Sequence, residues 1–104
     1  GWVKMPGRLS RVSAGKDGAT WAVGLNREIY RFTDQKWARV PGAADEVAVG
    51  SNGSVWHIGG SNTIYRLDGK GWQKVDAQKA TSLSIGLNDE IWIVRPNGTM
   101  AVYR

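Results

Sequence analysis

Six tryptophans in a chain of 104 residues fall into two evenly spaced sets. Trp2, Trp37 and Trp72 stand 35 and 35 residues apart, and Trp21, Trp56 and Trp92 stand 35 and 36 apart. The three tyrosines keep the same beat, each inside an aliphatic-Tyr-Arg triplet: Ile29-Tyr30-Arg31, Ile64-Tyr65-Arg66 and Val102-Tyr103-Arg104. Gly15, Gly50 and Gly86 hold the same phase, as do the turn pairs Asp17-Gly18, Asn52-Gly53 and Asn88-Asp89. Several residue types sharing one register mark a repeat architecture, in which each unit buries its apolar face against the next. The third copy gains one residue before Gly86 and two more before Tyr103.

Each copy reads as four short strands. The first is small and apolar, over Arg11 to Ala14, Glu46 to Val49 and Ser82 to Ile85. An Asp-Gly or Asn-Gly turn, the strongest short hairpin signal, leads to the second strand in the first two copies. Thr20 to Val23, Val55 to Ile58 and Ile91 to Val94 form these second strands, each with one Trp. Polar loops around Asn26, Asn62 and Asn97 precede the third strand, the aliphatic-Tyr-Arg element. Turns at Thr33-Asp34-Gln35 and Asp68-Gly69-Lys70 lead to the fourth, Trp37 to Val40 and Trp72 to Val75. Pro6-Gly7 and Pro41-Gly42 then break the chain before the next copy. No stretch of ten residues keeps helical period without Gly or turn residues. The expectation is all-β: three four-stranded antiparallel propeller blades in a single domain over 1–104, with repeats at about 2–36, 37–71 and 72–104.

Three blades are too few for a ring, since propellers typically have four to eight. The sequence opens in a fourth-strand element at Trp2 and ends in a third-strand element at Arg104. Residues 1–5 are therefore expected to complete the last blade of a partner chain. A homodimer with six blades is preferred because two-fold closure is commonest, with a nine-bladed trimer as the alternative.

Composition excludes several function classes. There is no cysteine, so there is no disulfide framework and no thiolate chemistry. No apolar run approaches the roughly 18 residues that a membrane-spanning helix needs. The cellular compartment stays open. The lone histidine, His57, has no second imidazole for a metal pair. Asp45-Glu46 and Asp89-Glu90 are strand neighbours pointing to opposite faces, whereas glycosidase carboxyls converge across a cleft. No enzyme and no cofactor are expected. The net charge of +5 comes from basic residues spread through the repeats rather than clustered, which argues against nucleic acid as a partner.

The unit Trp37-Ala-Arg-Val40-Pro-Gly, then Val47-Ala-Val-Gly50-Ser-Asn-Gly-Ser-Val-Trp56, then Ile64-Tyr-Arg66 resembles a tectonin repeat. The resemblance covers essentially the whole chain. WD repeats are longer and carry Gly-His and Trp-Asp; the sialidase Asp-box is partly matched only by Asp17-Gly18-Ala19-Thr20-Trp21. The resemblance implies a β-propeller lectin that binds surface glycans, microbial or methylated ones included. This chain carries half the usual repeat number, and Asp76-Ala77 replaces Pro-Gly in its last copy.

A sugar site needs an apolar platform for C–H faces and planar polar groups for hydroxyls. The candidates that repeat are Trp2, Trp37 and Trp72 on the outer strands, Asn26, Asn62 and Asn97 in the loops, and Arg31 and Arg66. Trp21, Trp56 and Trp92 read instead as inter-blade packing. The Arg after each Tyr has a plainer reading as a cation stacked on an aromatic face, and each Asn as a turn residue. The lectin is expected to be multivalent, through repeated inter-blade or loop sites; the alternatives are a non-catalytic protein-interaction scaffold and, less favoured, a polyanion or nucleic-acid binder.

Overall fold

A computed structural model describes residues 1–5, 7–15, 19–69, 71–86 and 88–104, with the backbone alone at 76 and 77. The Asp17-Gly18 turn and Pro6 lie outside the described residues. Among the described residues, eleven strands form three antiparallel sheets. The first holds β1 (Leu9–Ala14), β2 (Thr20–Gly24), β3 (Glu28–Thr33) and β4 (Lys36–Ala43). The second holds β5 (Glu46–Val49), β6 (Val55–Ile58), β7 (Thr63–Asp68) and β8 (Gly71–Lys79). The third has three strands, β9 (Ser82–Ile85), β10 (Ile91–Val94) and β11 (Met100–Tyr103). Strands are neighbours in chain order within each sheet, so the chain folds as three successive meanders.

Local chemistry sets the turns. Asp34 and Gln35 both take positive φ, 51° and 64°, which gives the primed two-residue hairpin whose twist matches its strands. At the β5–β6 turn the Asn52 side chain accepts from the Ser54 amide at 2.9 Å while Gly53 takes φ 85°. The expected loop asparagines behave differently from one another. Asn62 is itself left-handed, whereas at Asn26 and Asn97 the next residue, Arg27 or Gly98, carries the positive φ.

One expectation is corrected by the ladder. Pro41-Gly42 does not break the chain; β4 runs through it to Ala43. Ile29 pairs with Val40 and Glu28 with Ala43, so Pro41 and Gly42 are extra residues in a bulge. Proline has no N–H to give the ladder and glycine tolerates the required φ of 117°, so the pair suits a bulge. β8 bulges at the same place, with Ile64 opposite Val75 and Thr63 opposite Lys79.

Apolar residues on both strand faces give two cores, one in each gap between sheets. Trp21, Val23, Ile29, Val47 and Val55 pack between the first and second sheets. Trp56, Ile58, Ile64, Leu83, Ile91 and Ile93 pack between the second and third. Small links reinforce the gaps: the Val49 amide donates to Ser13 Oγ at 3.1 Å, and the Ser51 hydroxyl to Asp89 Oδ1 at 3.0 Å. Trp21 and Trp56 are buried as expected, but Trp92 remains 41% exposed. It stands on β10 in the third sheet, on the face that no other sheet of the described residues covers.

Candidate functional site

Where the first sheet meets the segment before it, a cleft of about 340 Å³ gathers Arg8, Asn26, Glu28, Tyr30 and Trp37, with Leu9 and Leu25 beside them. Three stretches build it. The connection into β1 brings Arg8, the β2–β3 turn brings Asn26, and the paired strands β3 and β4 bring Glu28, Tyr30 and Trp37. Two glycines allow the close approach. A Cβ on Gly24 would lie 2.6 Å from Glu28 Oε1 and 3.0 Å from the Tyr30 ring, so both groups settle over bare backbone. Gly7, at φ 92°, brings its backbone against the indole of Trp37.

The carboxylate of Glu28 is held in place by the Asn26 backbone N–H, which donates to Oε1 at 2.9 Å. Just outside, Arg27 Nε donates to Asp45 Oδ1 at 2.6 Å and its carbonyl accepts from the Ala44 amide, tying the turn to the next sheet. Both partners are about half exposed, so this pair contributes about 0–1 kcal/mol. Phe32 braces the Trp37 ring edge-on at 4.9 Å. The cleft thus offers two aromatic rings, one carboxylate acceptor, and donors from the Arg8 guanidinium and the Asn26 side chain.

Of the eight residues proposed from sequence, the structure brings Asn26 and Trp37 together here. Trp72 is an inter-sheet packing residue instead: its ring lies 6.1 Å from Trp21 and 4.3 Å from His57, and Nε1 donates to Pro41 O at 2.9 Å. Asn97 spends its side-chain oxygen on the Thr99 amide and hydroxyl. Asn62 sits in a 3-10 turn whose carbonyl accepts from Ala80. Arg66 lies over the Trp56 ring at 5.8 Å, the stacking read as its plainer role. Arg31 is exposed opposite Ala38, and Trp2 is wholly exposed.

Tyr30 repeats as Tyr65 and Tyr103 yet is not among those eight, and Arg8 and Glu28 are cleft residues that the repeat pattern does not single out. Their signal is a departure from repetition. One repeat on, Arg8, Asn26 and Glu28 become Ala43, Ser61 and Thr63, so the polar set is particular to the first sheet. Among the described residues no group of three or more His, Asp or Glu is placed to hold a metal ion.

His57 lies in the second sheet, 2% exposed, stacked on Tyr65 at 4.8 Å with Trp72 edge-on. Its Nδ1 has no hydrogen-bond partner among the described residues. Burial is the main cause that lowers its pKa to about 4, so the ring is neutral and part of the core.

The tectonin domain family matches residues 1–43 and 10–104. The chain belongs to the tectonin family. The family match spans its three antiparallel sheets. A search among curated proteins finds no match.

Proposed function

We propose that this tectonin chain is a non-catalytic carbohydrate-binding module, and that its three sheets are blades of a propeller closed by a second copy. The observation that carries the binding reading is the cleft of Arg8, Asn26, Glu28, Tyr30 and Trp37. Its rings suit the C–H face of a pyranose, and its carboxylate, guanidinium and amide suit vicinal hydroxyls. Apolar atoms dominate the lining, which also suits sugars with added methyl groups. The resemblance to tectonin lectins supports the same reading.

A glycan array that includes methylated and bacterial sugars tests it. Binding is expected, with Glu28→Gln and Trp37→Ala each weakening it at least tenfold. Both variants should keep the wild-type circular dichroism spectrum, because the residues line a surface cleft. Binding to a neutral sugar should be nearly indifferent to salt. A steep fall between low and moderate salt would point to a polyanion instead. An array without hits would favour the interaction-scaffold alternative.

A further inference from the structure

The gap between the second and third sheets contains a seat for an indole, and the gap before it shows how such a seat is filled. Trp72, on the outer strand β8, reaches back over the first sheet. Its ring meets Trp21 edge-on at 72° and packs against the cluster that holds Ile29 and Val40. Advancing these three neighbours by one repeat gives Trp56, Ile64 and Val75. Those residues line a cleft of about 400 Å³ together with Tyr103. The first gap is filled by a Trp from the outer strand of the following sheet. Among the described residues the third sheet has three strands, and β11 pairs with β10 alone.

The same sequence carries an outer-strand segment that its own fold leaves exposed. In the repeat phase, residues 2–5 correspond to 37–40 and 72–75, so Trp2 is the counterpart of Trp72. Trp2 is 105% exposed, Val3 79% and Met5 51%, and no strand includes them. We infer that residues 1–5 of a second copy add to the open edge of β11 and that its Trp2 fills the cleft against Trp56. The register follows from β7 and β8, where Tyr65 faces Lys74 and Ile64 faces Val75. Accordingly Tyr103 faces Lys4 of the second copy and Val102 faces Met5. Edge addition satisfies backbone groups while the alternate side chains fill pockets.

The rest of the two end faces fits the same occupant. The first sheet presents exposed Val12 beside a cleft of about 610 Å³ lined by Met5, Leu9, Phe32 and Trp37. The third sheet presents exposed Trp92, Met100 and Tyr103. Inside the chain each sheet covers the one before it, so a second copy's first sheet has the shape to follow the third. Two copies meeting twice in this way leave no end face open. The inference rests on the propeller reading of the assembly, but not on sugar binding.

Trp2→Ala is a clean probe because Trp2 is fully exposed in the separate chain, so its loss leaves that fold intact. Sedimentation velocity at micromolar concentration should give twice the 11.4 kDa chain mass for wild type. Trp2→Ala should give the single-chain mass with an unchanged far-ultraviolet spectrum. The chain has no cysteine, so Lys4→Cys with Tyr103→Cys reports this one pairing, and oxidation should give a disulfide-linked dimer. A single-chain mass for wild type overturns the inference. So does an assembly that Trp2→Ala leaves whole and in which the two cysteines do not join. A protein that assembles and binds no glycan loses only the binding proposal, and one that binds glycan as a single chain loses only this one.

Discussion

At the scale of single residues, burial decides more than residue type. His57 is a buried core side chain that can take up a proton on acidification. Its pKa falls from the ordinary 6.5 to about 4, first through burial, with the charge of Arg27 acting in the same direction. A backbone hydrogen bond at Ile58 and the charge of Asp45 oppose the shift. Below pH 6.5 the unfolded chain binds a proton at this position, while the folded chain stays neutral until about pH 4. Stability is therefore greatest above 6.5 and falls as the pH drops to 4. A shift of this size amounts to about 3 kcal/mol over the whole window. Glu46 acts in the opposite sense, because burial raises its pKa and lets the folded state protonate first. Urea denaturation of wild type against His57→Phe isolates the histidine, since Glu46 is common to both. The expected result is a shallower loss of stability between pH 6.5 and 4 in the variant. Equal slopes would show that His57 titrates normally in the fold.

At the scale of strands, the turn residues made most of the fold legible. The bounds of β5, β6, β9 and β10 follow from the sequence because Gly, Asn and Asp stand at their ends. The Pro41-Gly42 bulge was not legible, because proline and glycine punctuate a chain in the same way whether it stops or buckles. What decides is the partner strand: Glu28 still finds Ala43 beyond the extra pair, an event set by tertiary pairing. The candidate site was half legible for a related reason. Trp37 stands out by repetition and Asn26 as a polar loop residue, whereas Glu28 and Tyr30 join them through the pairing of β3 with β4, and Arg8 through the path of the connection into β1. The bulge also makes a prediction. Gly42 combines φ 117° with a position where a Cβ would lie 3.0 Å from Trp72 Nε1. Gly42→Ala should cost about 1–3 kcal/mol from backbone strain alone, and displace the indole as well. Gly69→Ala, with open space around its Cβ position, is the control expected within about 0.5 kcal/mol of wild type. Chemical denaturation of both measures the difference.

At the scale of the whole molecule, the three sheets are equivalent in sequence and unequal in surroundings. Trp21 is 5% exposed under the second sheet, while its counterpart Trp92 is 41% exposed at the end of the stack. Under conditions where the chain is single, Trp21→Ala should cost about 3–5 kcal/mol, the usual range for a buried aromatic. Trp92→Ala should then cost about 1 kcal/mol, as befits a partly exposed site. The gap should narrow wherever copies associate, because a following sheet would bury Trp92 too. Assembly also bears on binding strength. The polar set of the cleft is confined to the first sheet, so a single chain has one such site and two joined copies have two. Linking sites raises retention on a dense surface by about 10²-fold or more when their spacing fits, with no new contact to the sugar. Trp2→Ala should therefore leave the affinity for a soluble monovalent sugar unchanged in calorimetry, since Trp2 lies outside the cleft. The same variant should dissociate much faster than wild type from a glycan-coated surface. If monovalent affinity fell equally, Trp2 would belong to the sugar site itself, and exposure in the separate chain would be its open, ligand-ready state.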